Sequence, residues 1–480
     1  MTNTNKILFF IAFIMLISAG AIQAAVRTSV ATGNWDNTAT WDCACIPAAG
    51  DDIVIATGHT VSIPNSAGDQ IVNNLTINAT AILDNLNKGI TVNGNYTNNG
   101  SHTGGVASQL NLDGIGTIIT GSGVINIDGI TRIRNGNKTI TANLINSTGD
   151  MTIYGAITLT NTGTITIGGD INGTIAASTF TNSTNATLNI GGTLMATGTL
   201  NASASGNTVD YYLAGGQTIK VPTSSTYYSL TLSGTGTKTL LGNTIISGNL
   251  TISSTLDAGS NYNINLAGNW NNTGTFNEVS GTVTFDGSGA QTFTNLLGET
   301  FYNLTNNKSA GTLTLNDDVI VSNTLTMTSG NIDASANQIT LGTDVSNVGT
   351  LVYTSGTIVG QYKKWVNATG VGHNLPIGTS ADYRPFNYTL TNLMGGGGTI
   401  TGEFISSAPG TNGLPLPDGG LTIYNTFVEG YWSLTGGDGL NASSFDIEAA
   451  GNGFTSFAIN ASTRLLTRAS AGSAWTSEGT

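Results

Sequence analysis

The chain has 480 residues and a formal net charge of −13, from 14 Lys and Arg against 27 Asp and Glu, with only 9% charged residues in all. That balance excludes a nucleic-acid binder, which needs clustered cations to meet phosphates, and disfavours anionic membranes as partners. The 39% of hydrophobic residues fall in strand-length bursts, which excludes disorder, and 65 glycines among abundant Thr, Asn and Ser point to a β protein with a polar, uncharged surface.

In chain order, Lys6 precedes an apolar run from Ile7 to Ile17 and small residues up to Ala24, the layout of a secretory signal. Cleavage is expected after Ala24, with Ala21 and Ala25 as alternatives, and the run is too short to span a bilayer comfortably as a helix. Residues 1–24 are thus read as a signal peptide. The mature chain is expected to be secreted, extracellular or on the outer cell surface, with no transmembrane segment.

Residues 25–63 read as an N-terminal cap. Ile53, Ile55, Val61 and Ile63 alternate with polar residues as the inward positions of strands. Trp35 and Trp41 suit the plug that a solenoid's first coil needs over its open core, and they are equally candidates for stacking on a sugar ring. Cys43 and Cys45 are the chain's two cysteines; a bridge over so short a span is strained, two ligands are too few for structural zinc, and the pair reads as an extracellular turn element. Trp35, Trp41, Pro47, Gly50-Asp51-Asp52 and Gly58-His59-Thr60-Val61 together resemble the G8-like segments that open many secreted proteins of the Bacteroidetes type. The resemblance covers about forty residues and implies the first coil or cap of a β-helix.

From residue 64 to 359 short phrases such as Asn74–Ile77, Thr164–Ile167, Thr187–Ile190 and Thr282–Phe285 place apolar residues on one face and Thr or Asn on the other. Val209–Leu230 is echoed by Val283–Leu304, with Gln217 on Gln291 and Tyr228 on Tyr302, both 74 residues apart (291 − 217 and 302 − 228). Read as three coils, the unit gives coils of roughly 25 residues, within the range of solenoid repeats. No acid, base or metal ligand recurs at that offset. Phrases opening at Gly94, Gly192 and Gly268 echo one another, and asparagines at coil corners are expected to stack in hydrogen-bonded ladders. The Gly-Gly-x-Gly-x-Asp nonapeptide of calcium-loaded repeats is missing, so no cofactor is expected and Ca2+ has only the scattered acidic surface in its favour.

After about Gly360 longer strands and Gly/Pro-rich loops predict a separate antiparallel β-sandwich over 360–480. The stretch from His373 to Leu390, with Leu375-Pro376-Ile377-Gly378, resembles the module that follows β-helices in large Bacteroidetes surface proteins. That resemblance implies a sorting or anchoring part beyond Thr480, and hence a truncated domain.

Catalytic constellations are sparse. His59, His102 and His373 have no metal spacing, and the bases of the repeat region are Lys88, Arg132, Arg134, Lys138, Lys220, Lys238 and Lys308. Asp128, Arg132 and Arg134 share one strand alternation, which fits either a carboxylate-sugar contact or a surface ion-pair ladder. Asp51-Asp52 and Asp317-Asp318 are adjacent, so each pair points to opposite faces and reads as a turn. Thr-x-Thr pairs at 158/160, 164/166, 282/284, 312/314 and 324/326 suggest hydroxyl arrays of the ice-binding kind, but their spacings follow no constant coil length.

The sequence therefore predicts an all-β chain: a parallel β-helix, expected right-handed, with an N-terminal cap and a C-terminal sandwich. The function it favours is non-catalytic adhesion to extracellular glycans or cell-surface proteins, with Trp35, Trp41, Asp128, Arg132 and Arg134 as candidate binding residues. A polysaccharide lyase or hydrolase is the alternative, and ice binding through threonines the third reading.

Overall fold

The computed structural model describes residues 24–146, 148–295 and 297–479. The signal expected at 1–24 lies outside them except for Ala24. The fold is a parallel β-solenoid of about 15 turns followed by antiparallel sheets. No helix among the described residues is long and apolar enough to cross a membrane.

Each turn lays down three short strands, one on each of three faces. The turn from Leu75 is typical: Leu75–Ile77 on face 1, Ile82–Asp84 on face 2, Gly89–Val92 on face 3, then Tyr96–Asn98 on face 1 again. The apolar/polar alternation dictates this arrangement, because period-2 strands bury one side and each buried side meets the other two faces in a shared core. Inward residues such as Ile53, Leu83, Leu159, Phe180 and Leu230 are at most 1% exposed. Burying a side chain of this kind contributes roughly 1.5–3 kcal/mol, and no disulfide crosses the stack.

Coils are shorter than the sequence suggested. Leu75 pairs with Tyr96 and Thr158 with Thr179, so a turn there is 21 residues rather than about 25. The 74-residue echo therefore spans three turns and two further faces. Val209 lies on face 2, paired with Leu230, while Val283 lies on face 1, paired with Leu304 and continuous with Ile264 and Thr244. Gln217 starts a face 3 strand and Gln291 a face 2 strand. The Gly94, Gly192 and Gly268 phrases likewise land on three different faces, placing Tyr96, Leu194 and Trp270 inward on faces 1, 3 and 2. One strand-and-turn phrase serves any face because all three face the same apolar core.

Corner asparagines hold the turns. Asn98, Asn161 and Asn272 are each at most 1% exposed and accept a hydrogen bond from the backbone N–H of Gly100, Gly163 and Gly274. Asn161 also donates to Asn182 of the next coil at 2.8 Å, the ladder expected from the sequence. A buried amide satisfies turn groups that would otherwise be orphaned.

At the N-terminus Val26–Thr28 and Gly33–Asn34 already pair in parallel with the next turn. At the other end Ile358–Val366 belongs to both architectures. It is parallel to the preceding solenoid strand and antiparallel to Gly398–Ile405, which pairs in turn with Tyr431–Gly437. A second sheet joins Gly372–Leu375, Phe386–Leu393 and Ala442–Ala449.

Candidate functional surfaces

Most lysines of the solenoid are spent on its own turns. Lys238 Nζ donates to the carbonyls of Leu213 and Gly215 and to Gln217 Oε1, at 2.6, 3.0 and 2.6 Å. Lys308 does the same with Gly287, Gly289 and Gln291 Oε1, at 3.0, 2.8 and 2.7 Å. Every acceptor is displaced by 74 residues (287 − 213, 289 − 215, 291 − 217), while the lysine is displaced by 70 (308 − 238). A base does recur beside the echo, at an offset of its own. It escaped notice because a four-residue change in the turn moved it out of register.

Three more lysines follow the pattern. Lys138 donates to the carbonyls of Gly114, Arg134 and Gly136, Lys220 to Met195 and Gly198, and Lys364 to Val348 and Gly349. Burial lowers Lys138, Lys308 and Lys364 to about 8, with Asp113 opposing the shift at Lys138 and Asp286 at Lys308. An ammonium is suited to this role because its three donors collect carbonyls that a tight corner turns inward.

The histidine of the solenoid core is also structural. His102 lies between Tyr96 Oη at 2.5 Å and Asn85 Oδ1 at 2.9 Å, and burial lowers it to about 3, so it stays neutral. Among the described residues no group of three or more His, Cys, Asp or Glu is placed to hold a metal.

The candidate binding residues are divided among different places. Trp35 and Trp41 are 1% and 2% exposed, with ring centroids 5.0 Å apart in an edge-to-face pair, and Trp41 Nε1 donates to Trp35 O. They plug the first coil and offer no platform to a sugar. Cys43 and Cys45 are bridged beside them. Asp128 does not share a strand with the arginines: Gly129 turns the chain between the face 2 strand Val124–Ile127 and the face 3 strand Ile130–Ile133. Only glycine fits there, since a Cβ would sit 1.8 Å from Ser108 O. Arg132 reaches Gln109 and Asn111, and Arg134 pairs with Asp113 at 2.8 Å, a ladder along face 3. Asp128 instead lines a cleft of about 350 Å3 with Asp84, Asn87, Thr103 and Asn126.

Face 1 is different in kind. Its outward residues form columns fixed by strand pairing: Thr139, Thr160, Thr181 and Asn201 in one, Thr158, Thr179 and Thr199 beside it. Further along the same face Thr284, Thr305 and Thr326 continue the first column, and Thr282, Asn303, Thr324 and Thr350 the second. Between these stretches Thr226, Ile245 and Asn265 complete the first column. From Thr139 onward none of these positions is charged, although the same column begins lower in the stack with Asp52; the matching column of face 2 carries Asp84 and Asp210, and face 3 carries Arg132 and Asp257. Three of the five Thr-x-Thr pairs, 158/160, 282/284 and 324/326, lie on face 1, and 164/166 and 312/314 on face 2. Constant spacing was the wrong test. Turn lengths vary, and backbone pairing restores the register that the numbering loses.

In the C-terminal sheets an open groove of about 1000 Å3 is lined by apolar and aromatic side chains, among them Phe386, Ile400, Leu434, Phe445, Phe454 and Trp475. Comparison with protein-family models, curated proteins and solved structures finds no match to this chain.

Proposed function

We propose that the protein is a non-catalytic adhesion protein of the cell exterior, which presents its polar solenoid flank and turn loops to extracellular glycans or other surface proteins. The observation that carries this reading is the fate of the cations: five lysines point their ammonium groups at turn carbonyls instead of into a groove. A polysaccharide lyase or hydrolase needs a base and carboxylates converging on a scissile bond, and these five lysines are committed elsewhere. The cleft of Asp84, Asn126 and Asp128 supplies hydrogen-bonding groups of the kind that read sugar hydroxyls, without a base. Export is supported by the apolar run Ile7–Ile17 and by a bridged cysteine pair, which persists in oxidising compartments.

The test pairs a glycan-array screen of the purified protein with a reducing-sugar release assay on the glycans it retains. Retention without release is expected, and weakened retention in Asp128→Ala places the contact in the cleft. Release with turnover overturns the reading in favour of the enzyme.

A further inference from the structure

Face 1 carries an inference that goes beyond glycan adhesion. We propose that its threonine columns bind ice, holding an ordered layer of water against the solenoid flank.

Thr158 and Thr160 stand two apart on one strand, and Thr179 and Thr181 pair with them residue for residue on the next coil. Neighbouring strands lie about 4.8 Å apart and alternate residues on a strand about 6.6 Å apart. The result is a rectangular mesh of hydroxyl and methyl groups on the scale at which oxygens repeat in hexagonal ice. Pairing continues without a register shift to Thr199 and Asn201. The same mesh reappears further along at Thr282 and Thr284 and at Thr324 and Thr326.

A charged side chain carries its own tightly held hydration shell, which disorders a lattice, and from Thr139 to Thr326 these columns carry no charge although the chain as a whole is at −13. Crystalline polysaccharide is the competing solid. Recognition of sugar rings uses aromatic platforms, and no Trp, Tyr or Phe stands in either column. Threonine instead offers a hydroxyl to anchor water and a methyl to order it.

The face is also rigid. Behind the outward threonines, Leu159, Phe180 and Leu200 are fully buried. Threonine itself is stiff about χ1, so little side-chain entropy remains to be lost when the face meets a solid.

The experiment uses fluorescently labelled protein on a single ice crystal, with thermal hysteresis and ice recrystallisation read in parallel. Adsorption by the native chain is expected, together with a loss of about tenfold or more in Thr160→Lys/Thr181→Lys, since a hydrated cation in the mesh cannot be accommodated. The face 2 variant Thr166→Lys should adsorb as the native chain does. Unchanged circular dichroism and melting of the face 1 variant, together with unchanged glycan retention, separate loss of the ice face from unfolding and from failure of the adhesion reading. No adsorption by the native chain overturns the proposal, as does equal adsorption by the face 1 variant. Binding to insoluble chitin or cellulose in place of ice also overturns it and assigns the face to a polysaccharide.

Discussion

The solenoid and the C-terminal sheets are written in the same alternating strands, yet the C-terminal sheets bury theirs less evenly: Phe386, Tyr388 and Leu390 are inside while other strands lie open. In Thr164–Ile167 the inward Ile165 and Ile167 are fully buried, whereas in Ala442–Ala449 Phe445 is 57% exposed and the strand borders an open groove. A solenoid strand meets two other faces of its own coil and a copy of itself above and below. A sandwich strand depends on one opposing sheet, and burial is complete only where that sheet lies against it. Regular stacking thus makes the solenoid core tolerant of phrase shuffling between faces, while the sandwich depends on the fit of two particular sheets.

The sharpest way to break this contrast is at Trp270, which is fully buried on face 2 and packs edge-on against Phe276 and Phe301. Trp270→Ala should cost about 3–5 kcal/mol in urea unfolding, because coils on both sides cannot close the cavity without losing register. A cost below 1 kcal/mol would show the core to be far more pliable than a stacked solenoid allows.

Acid should come next. His102 is held near a pKa of 3 against its ordinary 6.5, so on acidification the unfolded chain takes up a proton that the folded chain refuses. His102 therefore costs nothing above about pH 6.5, and stability falls by a few kcal/mol as the pH drops from 6.5 toward 3. Urea midpoints measured across that window should show a shallower slope in His102→Gln. An identical slope would mean that His102 protonates freely in the folded chain.

Lys308→Met tests the turn sockets. It takes the ammonium donor from the Gly287 and Gly289 carbonyls and leaves Gln291 Oε1 with only the Gly287 N–H, for an expected loss of about 1–3 kcal/mol. Lys238→Met should match it, since the socket is the same; a large disagreement between the two would deny that the echo copies a working unit. The smallest effect is expected in the other region, where Phe445→Ser should stay within about 0.5 kcal/mol in thermal unfolding. A larger loss would show that the groove is closed in solution.

Much of the fold was legible in the chain, and the reasons are local. Period-2 phrases such as Thr164–Ile167 specify strands, Asn-x-Gly corners such as Asn272-Thr273-Gly274 specify turns, and the longer strands after Gly360 announce the change of architecture. The plug made by Trp35 and Trp41 was legible as well, because an end coil has to cover its core. The coil length was not, since the 74-residue echo does not say how many faces it crosses.

The surfaces were harder to read. Asp128 seemed joined to Arg132 and Arg134 by alternation, until Gly129 proved to be a corner between two faces. The lysine sockets bring together residues of neighbouring coils, such as Lys238 and Gln217 at 21 positions apart, and only stacking makes those two neighbours. The face 1 columns follow the same logic. The sequence by itself determined which residues point out, because alternation is a property of each strand. Which outward residues stand side by side was decided by tertiary structure alone, because hydrogen bonds between coils set the register while turns of unequal length absorb the difference.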